Sequence, residues 1–450
     1  MIGELVSAFS SAVWSGVLWL LLGAGFWLLV LSRGLPYRYF GAALRLLAAR
    51  TSGAEAGNGE LSQREALAAA LSGTLGLGNI AGVAVAISIG GAGAVFWMWL
   101  TALLGICTKF FTCTLAVLYR STDEQGRAQG GPMYVIREAL GPRWQPLAVL
   151  FAVAAMFGSL PLFQANQLVQ IVRDVVAVPA GWTERDAHLA FDVGIGLLIA
   201  AFVGAIVLGG ATRVGRTALR LVPTMVAAYL LITAVVLLTH AGEIPAALAR
   251  IVSDAFSPAG SGDAVAGGLL GALLIGVRQG AFSNEAGIGT EALAHGAART
   301  PIAANEGLVA MIGPVVDTLV VCTATALMIL VTGVADGAAD GVSLTAAALE
   351  AGVGELGPWV LTLVVVLFSV TTMFTFCWYG ARAATFLFGP RASTAYIAFY
   401  LTMVVVGAAT TLGAAVDFLT GMYGLMAIPT VLSTLVLAPK VLEHARANLG

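Results

Sequence analysis

Charged residues are scarce in this chain. Only 10% of its 450 residues are Asp, Glu, Lys or Arg, whereas 59% are hydrophobic. A soluble globular domain carries about 25% charged residues, so this composition excludes a soluble protein and indicates a polytopic membrane protein. The formal net charge of −2 gives no reason to expect a nucleic acid as a partner.

Residues that carry metal or nucleophilic chemistry are also few. The chain has four Cys and four His, with no C-x-x-C pair, no H-E-x-x-H motif and no G-x-x-x-x-G-K-[ST] phosphate-binding loop. The cysteines all fall within long apolar segments, where they are predicted to be packing residues: Cys107, Cys113, Cys322 and Cys377. The sequence therefore predicts neither an enzyme nor an organic cofactor.

Long apolar segments fill most of the chain. A bilayer core about 30 Å thick is crossed by roughly 20 helical residues. The predicted spans are residues 13–31, 71–91, 94–119, 147–170, 190–208, 220–239, 264–293, 304–331, 358–380, 394–411 and 415–438. The two-residue alternation of a membrane β-barrel is missing. The predicted fold class is therefore an all-α polytopic membrane protein with about eleven transmembrane helices.

The first segment and the basic residues predict how the chain is oriented. Residues 1–12 contain Glu4 but no Lys or Arg, and no small-x-small cleavage site follows, so we interpret the first segment as a retained helix. Lys and Arg accumulate on cytoplasmic loops. Only Arg173, Arg185 and Arg250 fall on one predicted side, and every other basic residue outside the segments falls on the opposite side. This predicts a multi-pass plasma (inner) membrane protein with its N-terminus outside and its C-terminus in the cytoplasm.

Two of the predicted spans are interrupted by glycine. One contains "SGTLGLGNIAGVA" at residues 72–84, and the other contains "GAFSNEAGIGTEA" at 280–292. Both include an Asn-x-Ala-Gly core, a weak trace of internal repetition. In hydrocarbon every backbone N–H and C=O needs a partner, so unwound backbone at membrane depth indicates a buried binding site or a water-filled cavity. The competing interpretation is that the glycines only permit close helix packing.

The two interrupted spans divide the chain into repeats. With the first span set aside, ten spans form two sets of five, and each set is led by an interrupted span. Because five is odd, the second set must enter the membrane from the opposite side. Inverted repeats with broken lead helices are typical of secondary transporters, whose binding sites lie near the midplane. The predicted parts are an N-terminal helix with a cytoplasmic loop (1–65), a first five-helix repeat (66–240), an extracellular linker (241–263), a second five-helix repeat (264–438) and a cytoplasmic tail (439–450).

Shorter helices are predicted between the spans. The linker is expected to hold an interfacial helix over 243–256. Its apolar face is predicted to contain Ile244, Leu248, Ile251, Val252 and Phe256. Short helices are also expected within 130–140 and within 333–357.

Several motifs in series resemble a known family. They are "GNIAGVAVAISIGGAGAVFWMWL", "GGPMYVI", "FQAN", "FSNEAGIG" and "VDTLVVCTATALMIL". Together, in this order and over about residues 60–390, they resemble the alanine or glycine:cation symporter family, also called the sodium:alanine symporters. The resemblance implies a LeuT-like fold with an inverted five-helix repeat. It also implies symport of small neutral amino acids, typically alanine or glycine, with Na⁺.

The sequence departs from that family at two places. The eighth core helix reads Trp378-Tyr379-Gly380-Ala381, where the family usually continues with a Tyr-Tyr-Gly-Glu-like string that ends in an acidic group. After the second break the chain has Thr290-Glu291-Ala292, where many members have Ser-Ala-Pro. These departures bear on the substrate and the coupling ion.

The breaks predict how a zwitterionic amino acid is held. Backbone N–H groups at a half-helix N-terminus suit a carboxylate, and carbonyls at a C-terminus suit an ammonium group or a cation. We expect the carboxylate to bind the amides of Leu77, Gly78 and Asn79, next to Gly76, because glycine removes a hindering Cβ. The ammonium group is expected at the carbonyls of the second break: Phe282, Ser283 and Asn284.

The remaining walls of the substrate site are expected from two other helices. Gln164, in "FQANQ" on the third core helix, is predicted to contact the substrate, with Phe163 as a wall. The competing interpretation is that the amides of this motif hold helices together by hydrogen bonds. Phe374 and Trp378, one turn apart on the eighth core helix, are either a limit on side-chain size or ordinary packing residues.

The resemblance also implies sodium ligands. One site is expected between the first and eighth core helices, with carbonyls of Ser72 and Leu75 and hydroxyls of Thr371 and Thr372. A second site is expected to use the Asn79 side chain. Sodium favours such hard oxygen ligands. The competing interpretation is that the hydroxyls bond carbonyls of their own helix.

Ionisable groups at membrane depth are rare and are usually paired or functional. Arg278, Glu285 and Asp317 are expected to be gating or structural polar residues, with Arg278 pairing with Asp317. Glu291 is expected near the cytoplasmic exit or as a protonatable group.

These observations predict a secondary symporter that imports alanine or glycine with Na⁺ by alternating access. Two alternatives stay open: coupling to H⁺, and transport of another small amino acid such as serine or glutamine. A channel is disfavoured because no repeated pore loop is visible. The expected partners are the amino acid and the lipid bilayer.

Overall fold

The computed structural model describes residues 2–48, 59–122, 126, 128–184, 187–257, 268–336 and 341–449. The α-helices in chain order are α1 (Ile2–Leu31), α2 (Leu35–Arg38), α3 (Phe40–Ala48), α4 (Gln63–Thr74), α5 (Ala81–Gly90), α6 (Gly93–Leu118), α7 (Pro132–Val135), α8 (Gln145–Gly158), α9 (Leu162–Val172), α10 (Leu189–Val207), α11 (Gly210–Thr239), α12 (Ile244–Ala255), α13 (Gly268–Asn284), α14 (Thr290–His295), α15 (Ala303–Ala310), α16 (Ile312–Pro314), α17 (Thr323–Val331), α18 (Gly341–Val353), α19 (Leu356–Phe388), α20 (Ala392–Ala408) and α21 (Leu412–Leu449). Two short strands, β1 (Ser121–Thr122) and β2 (Ala128–Gln129), form an antiparallel ladder.

The all-α polytopic prediction is confirmed. In the described part of the chain, eight helical stretches are long and apolar enough to cross a membrane. A ninth is the pair α4 and α5, which bends by 53° at the first glycine-rich break. The predicted segment 264–293 corresponds to α13 and α14 with an interruption between them, although residues 264–267 lie outside the described residues. The predicted segment 394–411 corresponds to the 17-residue helix α20.

A wide π-helical turn interrupts the span that follows α16. Val315–Cys322 form this turn between α16 and α17. The turn places Asp317 and Thr318 in the protein interior, where both are fully buried. π-Turns of this kind are frequent at functional sites because the wider turn redirects side chains.

The first helix packs outside the two predicted repeats. Trp14 on α1 donates its indole N–H to the Thr420 carbonyl of α21 at 2.8 Å, and the Ser10 and Thr420 hydroxyls are 3.2 Å apart. Small residues permit this close approach. A Cβ at Gly424 would lie 2.5 Å from Val13, so only glycine fits at that contact.

The predicted interfacial helix forms as α12. The face of α12 that packs on the protein contains Ala247, Ile251 and Ala255. Leu248, Val252 and Phe256 of the predicted apolar face are exposed, so they are available to a lipid interface. The small alanines lie inward because Trp97 on α6 reaches the backbone here and donates to the Ala255 carbonyl at 3.2 Å. The short helices expected within 130–140 and 333–357 are confirmed as α7 with its π-turn and as α18.

Candidate functional site

The first break separates α4 from α5. A capping box starts α4, because Ser62 and Glu65 exchange side-chain hydrogen bonds with each other's backbone N–H. The helix ends at Thr74, Leu75 leaves the helical region with ψ at 81°, and residues 77–79 form one 3₁₀ turn. A Cβ at Gly76 would lie 2.6 Å from the Thr372 hydroxyl, so glycine lets the break approach α19.

Two backbone amides of this break are free to bind a ligand. The N–H groups of Leu77 and Gly78 donate to no acceptor among the described residues. The Asn79 N–H, also predicted as a carboxylate donor, instead donates to the Gly76 carbonyl at 3.2 Å. A Cβ at Gly78 would lie 3.5 Å from the Ser283 Cα and 3.7 Å from the Phe282 ring. The two breaks therefore face each other across Gly78.

The second break separates α13 from α14. Glu285 has a left-handed backbone with φ at 55°, and Gly287 and Gly289 follow with φ at 80° and 99°. A left-handed conformation is rare for a non-glycine residue, and it ends α13 here. The Glu285 carboxylate accepts hydrogen bonds from the Thr290 hydroxyl and from the Tyr423 hydroxyl, the latter at 3.1 Å.

Asp317 joins the two breaks. Its carboxylate accepts from the Asn79 amide at 2.6 Å and from the Ser283 hydroxyl at 2.8 Å. Thr318 donates to the same carboxylate at 2.7 Å. The Asn79 side-chain oxygen accepts the Gly76 N–H at 3.1 Å, so this residue also closes the first break on itself. One buried carboxylate on the neighbouring span thus fixes both interrupted helices.

The predicted pair of Arg278 with Asp317 is wrong. Arg278 donates to Asp417 on α21 at 2.7 Å, and it also contacts the Thr420 hydroxyl. Arg278 lies on α13 more than one helical turn before Ser283, so its long side chain reaches outward along α21 and not across to the π-turn. The Arg278–Asp417 pair lines a cavity of about 250 Å³ between α5, α13 and α21.

Two of the predicted wall residues meet at the second break. The Phe163 and Phe282 rings pack edge to face with centroids 5.3 Å apart. Gln164 is 4% exposed, and its side-chain oxygen has no hydrogen-bond partner among the described residues. Its neighbours Asn166 and Gln167 are hydrogen-bonded to Thr410 and to the Val342 N–H. Of the three amides in this motif, only Gln164 offers a buried acceptor to a ligand.

The structure does not bring Phe374 and Trp378 together with these aromatic rings. Trp378 packs under the Arg382 guanidinium, 4.7 Å from the ring centroid, and lines a cavity with Glu60. Thr372, Thr375 and Phe376, on a different side of α19, contact α4. At about 100° per residue, Phe374 is rotated by about 200° from Thr372, and Trp378 by the same angle from Phe376, which separates the two sets. In this conformation neither aromatic forms a ring contact with Phe163 or Phe282 in the described part of the chain.

The predicted sodium ligands are brought together in part. The Thr372 hydroxyl bonds the Ser72 carbonyl at 2.9 Å and the Phe368 carbonyl at 3.0 Å. Thr371 shares the Phe368 carbonyl at 2.9 Å, but its hydroxyl also faces Leu367 and Met225. The carbonyl of Leu75 accepts no hydrogen bond within the described residues. Thr372 therefore bridges α4 and α19. The Thr371 hydroxyl shares the Phe368 carbonyl with Thr372 but does not bond the Ser72 carbonyl.

Gln279 is a polar residue of this region that the sequence patterns did not indicate. It is 5% exposed, and its side-chain nitrogen has no partner among the described residues. That nitrogen lies where a Cβ of Gly82 would be, one turn beyond Gly78. The signal available in the sequence was its spacing, since Gln279 precedes Ser283 by one helical turn.

The opposite ends of α4 and α14 are held together. Leu61 and Ala298 form a parallel bridge, and the Glu60 and Leu61 N–H groups both donate to the Ala297 carbonyl. The Arg382 guanidinium pairs with Glu60 at 2.7 Å. Both interrupted helices are thus joined at this end.

Comparisons with known proteins show which family and fold this chain resembles. The family model described as "Sodium:alanine symporter family" matches residues 1–448. The chain is 34% identical to the sodium/alanine symporter AgcS of Methanococcus maripaludis, over 99% of this chain and 96% of the relative. It is 31% identical to the protein named "Probable sodium/glutamine symporter GlnT" of Bacillus subtilis, over 97% of this chain and 89% of the relative. The crystal structure of MhsT in complex with L-phenylalanine has the same LeuT-like fold, with a TM-score of 0.60 at 13% identity, covering 86% of this chain and 98% of that chain.

Proposed function

The chain belongs to the sodium:alanine symporter family, and we propose that it imports alanine or glycine with Na⁺ across the plasma (inner) membrane by alternating access. Sodium-coupled amino-acid symport is the activity of the family, and the chain is a multi-pass membrane protein. The single observation that carries the proposal is the pair of free amides at Leu77 and Gly78, beside Phe282 and Ser283 of the second break.

The proposed substrate position uses both breaks. The carboxylate accepts from the Leu77 and Gly78 amides, which glycine leaves accessible. The ammonium group donates to the Gln164 side-chain oxygen and to carbonyls at residues 282–284, near the end of α13. These groups match a zwitterion because they offer free donors at one break and buried acceptors opposite it. The Phe282 ring packs against the Phe163 and Tyr423 rings, and these three rings would limit the substrate to a small side chain.

Gln279 adds a donor to this arrangement. Its unpartnered side-chain nitrogen lies beside Gly82, on the side of the break that faces the Arg278–Asp417 pair. We assign it to the side of the substrate site next to Gly82, where its N–H group can donate a hydrogen bond to the substrate carboxylate. A buried donor with no partner costs about 1–3 kcal/mol, so a ligand that accepts its hydrogen bond recovers that energy.

The proposed first sodium site consists of oxygens from α4 and α19. Its proposed ligands are the carbonyls of Ser72, Leu75 and Phe368 and the hydroxyls of Thr372 and Thr371. The contacts with α4 favour Thr372 over Thr371. The Ser369 hydroxyl, one turn before Thr372, is buried without a partner among the described residues and is available to the same ion. A second ion beside Asn79 would have the Asp317 carboxylate as its counter-charge.

Glutamine is the second candidate substrate because a relative is named for it. A longer side chain needs space beyond Phe282, and the structure places Phe163 and Tyr423 there. We therefore expect alanine and glycine to be preferred over glutamine.

The experiment is uptake into liposomes that contain the purified protein. With Na⁺ outside, labelled alanine should accumulate, and unlabelled glycine should compete better than glutamine. Replacing Na⁺ by choline should abolish accumulation. Uptake that persists in choline and collapses with the proton gradient would contradict sodium coupling, and accumulation of glutamine in preference to alanine would contradict the substrate assignment.

A further inference from the structure

A separate cavity lies at the end of the molecule where the two interrupted helices are joined. Its volume is about 150 Å³, and it lies between the segment that precedes α4, β2, the start of α11, the last part of α19 and the start of α20. Trp378 and Arg382 in its lining are buried, whereas Gly210 and Pro390 are exposed, so the cavity extends from the interior to the surface. The substrate and sodium sites proposed above use none of its lining residues.

The Arg382 guanidinium in this lining is incompletely paired. Its Nη2 donates to the Glu60 carboxylate at 2.7 Å, and its central carbon lies 4.7 Å from the centroid of the Trp378 ring. Its Nη1 is buried and has no hydrogen-bond partner among the described residues, and Arg382 as a whole is 6% exposed. A buried donor without a partner is unfavourable, so this nitrogen is available to an acceptor on a ligand.

The charges of the cavity favour one class of ligand. Among the described residues, Arg382 and Glu60 are the charged groups of its lining, and they compensate each other. A lone anion or a lone cation would bring an uncompensated charge to a largely buried site, which is strongly unfavourable. A zwitterion adds no net charge, because its carboxylate accepts from the Arg382 guanidinium and its ammonium group donates to the Glu60 carboxylate.

The volume limits the zwitterion to a small one. A protein cavity of about 150 Å³ holds a molecule of benzene. Alanine has as many non-hydrogen atoms as benzene and glycine has fewer, whereas glutamine has more. The Trp378 ring offers an apolar wall to a methyl side chain. The cavity therefore suits the amino acids that are the proposed substrates.

We propose that this cavity is a second amino-acid site, an exit subsite in which Arg382 and Glu60 hold the substrate zwitterion after it has left the breaks. The predicted orientation places it on the cytoplasmic side, where an imported amino acid is released. The arriving carboxylate takes hydrogen bonds from Arg382, and the ammonium group replaces Arg382 beside Glu60. The inference rests on the proposed symport of a small amino acid, to which it adds a site for release.

The test counts labelled alanine bound to the purified full-length protein in Na⁺ by equilibrium dialysis. The parent protein should bind two alanine molecules per chain, one at the breaks and one, more weakly, at the exit subsite. Arg382→Met should weaken the second site by at least about tenfold and leave the first site in place. Arg391→Met is the matched control, because Arg391 is exposed next to Pro390 and does not line the cavity. It should keep both sites.

A second variant separates ligand binding from a purely structural role of the ion pair. Ser393→Leu fills the cavity from α20 and leaves both Glu60 and Arg382 in place, so it should also weaken the second site by at least about tenfold. Competition tests the charge argument. Unlabelled glycine should displace alanine from the second site, whereas acetate should not, because acetate lacks the ammonium group.

Four results would each overturn the exit subsite. They are a parent protein that binds one alanine per chain, an Arg382→Met protein that keeps both sites, a folded Ser393→Leu protein that keeps both sites, and displacement by acetate as effective as displacement by glycine. A parent protein that binds no alanine at all would instead contradict the proposed function.

Discussion

At the scale of single residues, the site depends on groups that leave space or lack a partner. Gly78 leaves the gap between the two breaks, and Gly76 lets Thr372 approach. Gln164 and Gln279 each bury one polar atom that no described residue satisfies. Buried polar groups without partners are uncommon in proteins, and these two have opposite hydrogen-bonding character. They are what a zwitterionic ligand requires.

The first prediction concerns Gly78. A Cβ there meets Ser283 and Phe282 at ordinary contact distances, so Gly78→Ala should fold and insert. The methyl group would occupy the gap between the breaks and favour rewinding, since alanine is the better helix former by about 1 kcal/mol. Alanine affinity should fall by at least tenfold, or about 1.4 kcal/mol. Isothermal titration calorimetry of the purified variant measures the alanine affinity. A monodisperse Gly78→Ala protein with the parent affinity would show that the glycines serve helix packing and not substrate binding.

The second prediction separates two adjacent hydroxyls. Thr372 bridges the Ser72 and Phe368 carbonyls, whereas Thr371 faces Leu367 and Met225. Thr372→Val should raise the Na⁺ concentration for half-maximal uptake by about tenfold, which corresponds to a lost ligand worth about 1.4 kcal/mol. Thr371→Val is the matched control and should have a smaller effect. Equal Na⁺ dependence of both variants and the parent would remove Thr372 from the sodium site.

At the scale of elements, the interrupted helices are held at three levels. The Arg278–Asp417 pair joins α13 to α21 at one end, the hydrogen bonds of Asp317 join the two breaks, and the contact of residues 59–61 with 297–299 joins the two interrupted helices at the other end. An alternating-access cycle must open one end while the other stays closed. The two end contacts are therefore the elements expected to exchange during transport.

The third prediction concerns the contact beside Glu60. Arg382→Met removes the ion pair and leaves the Glu60 carboxylate without its partner. The Glu60 and Leu61 amides, which donate to the Ala297 carbonyl, should then exchange hydrogen at least about tenfold faster, because local opening costs less free energy. Hydrogen exchange read by mass spectrometry measures this. Arg137→Met, at an exposed pair with Glu138, is the control and should leave these amides unchanged. Unchanged exchange in Arg382→Met would show that the backbone bridge alone holds this end.

At the scale of the whole molecule, α1 is an addition to the two five-helix sets. It packs along α21 through small residues and two hydroxyl or indole contacts, and its Leu21 side chain lies against Gly287 of the second break. Val13 precedes Leu21 by about two helical turns, so a change at the contact of Val13 with Gly424 is expected to affect stability and not recognition.

The fourth prediction tests that separation. Gly424→Ala places a methyl group 2.5 Å from Val13, so α1 must shift, at a cost of about 1–3 kcal/mol. The melting temperature should fall while alanine affinity stays at the parent value. Gly413→Ala on the same helix has open space around its Cβ and is the control with little effect on melting. A loss of affinity in Gly424→Ala with parent melting behaviour would mean that α1 couples to the site.

The family and the fold were accessible from the sequence. Composition and segment length required membrane helices, and the motifs between residues 60 and 390 led to the family that the family model confirms. Over its described residues, each of the eleven predicted segments overlaps one or more helices, although only eight stretches and one bent pair of the described chain qualify as spans by length and apolarity. The symport activity and sodium coupling follow from the family, whereas the preference for alanine or glycine and the site residues stay predictions.

The sequence indicated the breaks because much of their cause is local: glycine weakens a helix, and Gly287 and Gly289 adopt a left-handed backbone at the second break. Only the tertiary structure decided which side chains meet across them. Arg278 pairs with Asp417 and not with Asp317, Thr372 contacts Ser72 while Thr371 does not, and Gln279 lies beside Gly82. Such pairings depend on how helices distant in sequence are rotated and tilted against each other, and that is fixed by the packing of the whole core.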